Sequence, residues 1–235
     1  MTVTFVYWIS LVLGIAATIL FLVLRVKKGG LPGLVTKAAA SVLFIATACA
    51  ALATNMDQYR FGLLIVMGLA CGLLGDIWLD LKWVYTKDKD AYLYAGMYSF
   101  FTGHLFFITA LFTSYAWTPA ALAISIVAAL VGAAVSLLME KPMKMDYGKF
   151  RPVCFLYGFI LMMTTASSIV AAVATGETVW IVMSIGSVLF LLSDLVLTGT
   201  FFGKGKNTPQ YVVINHALYY AAQFVIASSV LFLGN

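Results

Sequence analysis

Five ionisable side chains lie inside otherwise apolar stretches of this 235-residue sequence: Asp76, Asp80, His104, Asp194 and His216. On insertion scales each such group costs roughly 2.5–3.5 kcal/mol or more within a bilayer, so each requires a reason. Asp76 and Asp194 have no basic residue in their own apolar stretches to pair with. Two carboxyl groups at one desolvated site tend to differ in protonation, one keeping its proton and the other ionised. Such an acid–base pair is suited to hydrolysing an acid-labile bond.

The composition indicates that lipid surrounds the elements that position these groups. Hydrophobic residues make up 63% of the chain, charged residues only 10%, and the mean hydropathy is +1.02. A soluble domain averages about 25% charged residues. The net charge of +5 is carried by residues between the apolar stretches, so we expect membrane lipids rather than nucleic acid as partners. No protein partner is evident.

Eight apolar stretches follow one another, each close to the roughly 20 residues that a helix needs to cross a bilayer. They span residues 4–25, 34–54, 61–81, 95–115, 118–139, 152–174, 178–199 and 211–233. The sequence therefore predicts an all-α integral membrane protein, a single polytopic domain over residues 1–235 built as a bundle of eight transmembrane helices.

Basic residues predict the orientation of the bundle. The connections after spans one, three, five and seven hold 13 of the 14 Lys and Arg residues, and only Arg60 lies on the opposite face. Short basic loops stay cytoplasmic, so both termini should face away from the cytoplasm, in a multi-pass protein of the cell membrane. The 13 are Arg25, Lys27, Lys28, Lys37, Lys82, Lys87, Lys89, Lys141, Lys144, Lys149, Arg151, Lys204 and Lys206.

This topology brings the ionisable groups toward one side. Asp76 and Asp194 lie about five residues, or roughly 7 Å, before the cytoplasmic ends of spans three and seven. His216 lies at a similar depth in span eight, and His104 is deeper. The recurrence of an Asp near the end of one span and a His in the next also suggests a 4+4 internal duplication.

Polar stripes indicate which helix faces line a cavity. In span eight His216, Tyr219, Tyr220 and Gln223 share one face, and in span four Tyr94, Tyr98 and Thr102 do so. Such stripes are expected to face the bundle interior, since lipid offers no hydrogen bonds. Asp80 shares a helix face with Asp76 and either lines the same cavity or lies in solvent at the end of the helix. His104 is a catalytic group or a hydrogen-bonded bridge between helices.

Other catalytic patterns are weaker. Cys49, Cys71 and Cys154 have no metal-ligand spacing and are expected to be packing residues. No His-x-x-x-His pair and no Gly-x-Ser-x-Gly elbow occurs, which disfavours a zinc centre and a serine nucleophile.

Four motifs, taken in order, resemble the YhhN-like lysoplasmalogenase family over nearly the whole chain. They are Gly75-Asp76, residues 96–104 (GMYSFFTGH), residues 190–194 (FLLSD) and residues 219–223 (YYAAQ). The resemblance implies hydrolysis of the vinyl ether of a lysophospholipid, giving a fatty aldehyde and a glycerophosphoethanolamine or glycerophosphocholine. It places the family's conserved acids on Asp76 and Asp194, without assigning which is the acid, and requires neither metal nor organic cofactor.

The resemblance also suggests supporting roles for other residues. Asp80, Tyr98, His104, Asn215, His216, Tyr219 and Gln223 are candidates for binding substrate or positioning water. Lys37, Lys82, Lys149 and Arg151 are candidates for the phosphate, although ordinary positive-inside charge is the simpler explanation for all four.

Three other functions stay open at this point. An intramembrane aspartyl protease also pairs two membrane carboxyls, but Leu73 departs from its Gly-x-Gly-Asp signature and its Pro-Ala-Leu motif is missing. A proton-coupled transporter would use the two acids as a relay, although the five prolines lie only at span ends. A zinc-dependent lipid hydrolase would be sensitive to chelators.

Overall fold

The chain forms eight long α-helices in the computed structural model, which describes residues 2–205 and 207–234. Lys206, one of the basic loop residues, lies outside the described residues. The helices are α1 (Thr2–Lys27), α2 (Gly30–Thr54), α3 (Tyr59–Val84), α4 (Lys89–Ser114), α5 (Pro119–Leu138), α6 (Arg151–Thr175), α7 (Thr178–Phe202) and α8 (Pro209–Ser229). Short 3₁₀ turns precede α3, α4 and α6 at Met56–Gln58, Thr86–Asp88 and Gly148–Phe150.

Each predicted apolar stretch corresponds to one helix, and the differences lie at the ends. Helix α4 begins at Lys89, six residues before the predicted start, because its polar first turns continue the helix while Lys89 stays exposed. Helix α8 ends at Ser229 rather than near residue 233, and its last turn is closed by i→i+3 bonds such as Leu231 N to Ser228 O. Hydropathy alone does not detect such amphipathic helix ends.

Seven of these helices, α1 to α7, are long and apolar enough to cross a membrane, as expected for a helical membrane bundle. Helix α8 has 21 residues but is less apolar, since it carries Asn215, His216 and Gln223. All three side chains are buried, so the polar face of α8 is turned into the bundle.

The outer surface of the bundle is covered by apolar side chains. Val12 and Ile19 on α1, Val131 and Leu138 on α5 and Val173 on α6 are all exposed. A continuous apolar surface of this kind marks contact with another apolar phase, here the hydrocarbon of lipid.

Consecutive helices pack in pairs, and α8 lies at the centre, in contact with α1, α2, α3 and α7. The α3–α4 pair approaches closest at two glycines. A Cβ at Gly103 would lie 2.9 Å from the carbonyl oxygen of Gly68, and one at Gly68 would lie 3.0 Å from that of Gly103. Small residues at such crossings let backbones approach in membranes. This contact brings the face of α4 that carries Phe100 against Gly75, one residue before Asp76.

Candidate active site

Asp76 on α3 and Asp194 on α7 line the same cavity, of about 40 Å³, which we call the polar cavity. Both carboxyl groups are almost completely buried. Its polar lining comes from five helices and the α7–α8 connection: Arg25, Lys37, Asp76, Asp80, Ser193, Asp194, Thr200, Asn207, Asn215, His216 and Tyr219. The structure thus brings together the two acids and His216, which the topology had placed at matching depth.

Asp76 is surrounded by hydrogen-bond donors. Its Oδ2 accepts from the hydroxyl of Ser41 at 2.6 Å and from that of Tyr219 at 2.8 Å. Its Oδ1 lies 3.2 Å from Nζ of Lys37. Lys37 and Ser41 stand four residues apart on α2 and therefore share a face. Three donors, one of them a cation, form the environment that a buried carboxylate needs.

Lys37 also belongs to a buried chain of ion pairs across α1, α2 and α3. Its Nζ lies 3.3 Å from Oδ1 of Asp80, whose Oδ2 lies 2.9 Å from Nη1 of Arg25. With Asp76 included, two cations meet two carboxylates, so the network is neutral overall. Asp80 is therefore buried and paired, and the alternative of a solvated helix end is wrong.

The polar stripe of α8 holds the groups around Asp76 in place by hydrogen bonds. The amide of Gln223 donates to the Tyr219 hydroxyl at 2.8 Å, so that oxygen is fixed while its hydrogen points to Asp76. The Tyr220 hydroxyl reaches the carbonyl of Lys37 at 2.9 Å and the hydroxyl of Ser41 at 3.0 Å. The prediction that this stripe faces the interior is confirmed.

Asp194 has a simpler environment. The hydroxyl of Tyr157 on α6 donates a hydrogen bond to its Oδ2. Within residues 2–205 and 207–234, no ion pair reaches this carboxyl group, whereas Asp76 has Lys37. The neighbouring Ser193 is held by Asn215, whose amide donates to its carbonyl at 2.8 Å and its hydroxyl at 3.0 Å. The two acids therefore differ in charge environment as well as in position.

The two histidines lie in different places. His216 lines the polar cavity, its Nδ1 donates to the carbonyl of Val212 at 2.8 Å, and its ring packs against Phe21. His104 lines neither described cavity. Its Nδ1 lies 3.1 Å from Oγ1 of Thr164, which already donates to a backbone carbonyl, so His104 donates and joins α4 to α6. This geometry fits the helix-bridging interpretation of His104.

A larger cavity of about 360 Å³, here called the apolar cavity, lies among α4, α5, α6 and α7. Five side chains line both cavities: Leu79, Phe100, Asp194, Leu197 and Phe201. Asp194 thus stands where a polar space meets an apolar one. At the rim, Tyr147 donates to the carbonyl of Ser136, and burial raises the pKa of Tyr147 to about 12, so its hydroxyl stays protonated.

The four phosphate candidates have different surroundings. Lys37 lines the polar cavity but is held by two carboxylates. Nζ of Lys82 lies 3.1 Å from the ring centroid of Phe201. Lys149 pairs with Asp90 at 2.6 Å and Arg151 with Glu140 at 3.4 Å. Lys82, Lys149 and Arg151 line neither described cavity.

The predicted inward stripe of α4 is wrong. Tyr98 and Thr102 are exposed, and Tyr98 stacks on Tyr94 on the outside of the bundle. The hydroxyl of Thr102 donates to the carbonyl of Tyr98 within the helix, which removes the cost of facing lipid. The buried face of α4 instead follows its glycines and the aromatic side chains beside them.

The sequence model of the YhhN family matches residues 32–230. The chain belongs to the YhhN family. No curated protein and no solved structure matches it. The matched region begins within α2 and continues beyond the end of α8, so it contains both acids and every α8 residue of the site, while Arg25 on α1 lies outside it.

Four residues of this site were not predicted as site residues: Arg25, Ser41, Tyr157 and Tyr220. Arg25 was named only among the basic residues that set the orientation, and Tyr220 only within the polar stripe of α8. One signal was available, because Lys37 stands at the start of the apolar stretch of α2 and Ser41 follows it by one turn. Tyr157 gives no such signal, since a tyrosine in an apolar helix is common near interfaces. Within the described residues, no three His, Cys, Asp or Glu side chains converge as metal ligands would.

Proposed function

We propose that this member of the YhhN family is a lysoplasmalogenase, which hydrolyses the vinyl ether of an alkenyl lysophospholipid. The observation that carries the proposal is that Asp76 and Asp194, from separate helices, line one cavity that adjoins a larger apolar one. An amphipathic lipid presents its acid-labile bond at such a junction, between its hydrocarbon chain and its headgroup.

The surroundings of the two acids support an assignment of roles. Asp76 accepts from an ammonium and two hydroxyl groups, which favours an ionised carboxylate. Asp194 is buried beside apolar side chains with a single hydroxyl donor, which favours the neutral acid. Asp194 then serves as general acid, and Asp76 stabilises the cation and activates water.

The reaction balances with water as the only co-substrate. Asp194 transfers its proton to the β-carbon of the vinyl ether, and the C=C electron pair forms the new C–H bond. The oxocarbenium ion that results is stabilised by the carboxylate of Asp76 and captured by a water molecule, which gives one proton to Asp76. As the hemiacetal collapses, Asp76 returns that proton to the departing glycerol oxygen and the hemiacetal hydroxyl gives its proton to Asp194. The products are the glycerophospho-alcohol and a fatty aldehyde whose oxygen came from water, and both acids regain their starting states.

Neighbouring groups fit supporting roles in this scheme. Asn215, His216 and Tyr219 line the polar cavity and are suited to orient the attacking water. Arg25 lies at its edge and uses one nitrogen for Asp80, so further guanidinium donors are available for a phosphate. We add Arg25 to the predicted phosphate candidates Lys37, Lys82, Lys149 and Arg151.

The proposal includes the membrane arrangement predicted from the sequence: α8 as an eighth span, both termini outside the cytoplasm, and location in the cell membrane. The polar cavity then lies toward the cytoplasmic leaflet. Two features support the proposed 4+4 duplication. The α4–α6 contact corresponds to the α8–α2 contact after a shift of four helices. Each acid also accepts a hydrogen bond from a hydroxyl on the preceding helix: Asp76 from Ser41 on α2, and Asp194 from Tyr157 on α6.

A proton-coupled transporter is the second candidate, favoured by the buried chain from Asp76 through Lys37 to Asp80 and Arg25. Buried charges of this kind occur in proton relays. A transporter would move protons across a sealed vesicle without converting a lysolipid, so the two functions are separable.

The direct test uses purified protein in nanodiscs with an alkenyl lysophospholipid and, separately, its ester-linked counterpart. We expect aldehyde from the first substrate only, with the rate unchanged by chelators. Asp76→Asn and Asp194→Asn should each lose at least about 10²-fold in rate. Asp90→Asn, an exposed acid paired with Lys149, should keep full activity. Activity that chelators abolish and zinc restores would favour the zinc hydrolase, and absence of aldehyde from wild type would reject the proposal.

A further inference from the structure

The apolar cavity has the size and lining of a ligand site. Its volume of about 360 Å³ lies within the roughly 300–1,000 Å³ range of small-molecule pockets. Its few hydroxyl groups are already engaged with the backbone: Ser136 donates to Ala133, Thr198 to Asp194 and Tyr147 to Ser136. Little apart from the carboxyl group of Asp194 and the Tyr157 hydroxyl bonded to it is left for a polar ligand atom. The occupant must therefore be apolar except where it meets Asp194.

The cavity is reached from the side of the bundle. Among the described helices, α5 packs on α6 alone, although α4 and α7 also line the cavity. Several lining side chains are at the same time exposed, among them Val135 on α5, Met139 directly after the end of α5, and Leu195 on α7. The cavity thus communicates with the apolar surroundings of the bundle beside α5, where lipid chains lie.

We propose that the apolar cavity binds the single hydrocarbon chain of the lysolipid, which enters from the membrane beside α5 and places its first carbons at Asp194. This inference rests on the proposed function, and it adds the site that selects the chain. The headgroup binds in the polar cavity, near the end of α1 and the α7–α8 connection, where Arg25 and Asn207 lie. The chain therefore extends the other way, toward the middle of α5 and α6.

Gly132 on α5 and Met162 on α6 set the length of chain that fits. Met162 stands five residues beyond Tyr157, or roughly 7 Å along α6 from the residue that holds Asp194. A Cβ at Gly132 would lie 2.7 Å from Sδ of Met162, so these residues are already in contact and close the cavity there. Methionine is flexible, so this boundary adapts to small differences in chain shape.

The binding test uses an ester-linked lysophosphatidylethanolamine with a diazirine at the end of its chain. The probe contains no vinyl ether, so labelling does not depend on turnover. In nanodiscs, we expect light-induced labels on the segments around Gly132 and Met162, in wild type and in Asp194→Asn alike. Met162→Trp should reduce this labelling at least about tenfold, while Leu156→Trp, on the exposed face of α6, should not. Labels confined to lipid-facing segments such as α1, or equal labelling in both tryptophan variants, would overturn the proposal.

Chain selectivity gives the second readout. Each buried methylene contributes roughly fourfold to affinity. Met162→Trp should therefore lower kcat/KM for an 18-carbon alkenyl chain at least about tenfold more than for a 6-carbon chain, which ends before Met162. Leu156→Trp should leave this preference between the two chain lengths unchanged. Labelling in the cavity without aldehyde formation would reject the lysoplasmalogenase and leave the chain site standing. Aldehyde formation with unchanged selectivity in Met162→Trp would reject the chain site alone.

Discussion

Nζ of Lys37 lies 3.2 Å from Oδ1 of Asp76 and 3.3 Å from Oδ1 of Asp80, so one buried lysine joins two carboxylates of neighbouring helical turns. Replacing it by methionine leaves Asp76 without a cation and Asp80 with Arg25 alone. Breaking a buried pair on one side costs about 3–5 kcal/mol. We expect Lys37→Met to lower the free energy of unfolding by about this amount, measured by denaturation in detergent.

A double variant separates charge from packing in that prediction. Lys37→Met combined with Asp76→Asn removes one charge of each sign and keeps the Arg25–Asp80 pair, so it should recover a substantial part of the lost stability. Equal stability of the single and double variants would contradict a role for Lys37 as the shared cation.

Tyr157 should act on the reaction through Asp194. Tyr157→Phe removes the hydroxyl that donates to this acid and leaves the ring. A hydrogen bond to a charged group contributes about 1.5–3 kcal/mol, and Asp194 becomes charged as it gives up its proton, so we expect kcat to fall at least about tenfold. KM should stay nearly constant. Tyr98→Phe, on the exposed face of α4, is the control and should match wild type in every parameter.

Substitutions of Arg25 and Lys149 compare a cation proposed to bind the phosphate with a cation on the protein surface. Arg25 lines the polar cavity, whereas Lys149 forms an exposed pair with Asp90. We expect Arg25→Gln to raise KM for an alkenyl lysophospholipid several-fold. Lys149→Gln should leave KM unchanged, because exposed pairs contribute about 0–1 kcal/mol and this one is remote from the site. Equal effects of the two substitutions on KM would remove Arg25 from phosphate binding.

The α3–α4 crossing should be intolerant of a single methyl group. A Cβ at Gly103 would lie 2.9 Å from the backbone oxygen of Gly68, which cannot move without shifting α3. Gly103→Ala is expected to lower the free energy of unfolding by about 1–3 kcal/mol, as overpacking does. Gly158→Ala is the matched control, since a Cβ there would meet Oγ of Ser136 at an ordinary 3.5 Å. A Gly103→Ala protein as stable as Gly158→Ala would show that the helices separate easily.

The helices and the depth of the acids within them could be predicted because both depend only on the sequence of each apolar stretch. Asp76, Asp194 and His216 meet because helices that cross a bilayer fix the level of each residue. The rotation of each helix is less predictable, since lipid-facing and buried faces are both apolar. For this reason Tyr98 was assigned to the interior and the ion pair of Lys37 with Asp76 was missed. Both depend on contacts between helices that no periodicity encodes.

The most direct test of the mechanism is to run the reaction in D₂O and trap the aldehyde at once by reduction to the alcohol. Proton transfer from Asp194 to the β-carbon, followed by capture of water, predicts one deuterium on the carbon next to the former aldehyde carbon. In H₂¹⁸O the same account predicts ¹⁸O in the aldehyde and none in the glycerophospho-alcohol. Aldehyde without deuterium at that carbon, or ¹⁸O in the glycerophospho-alcohol, would contradict it.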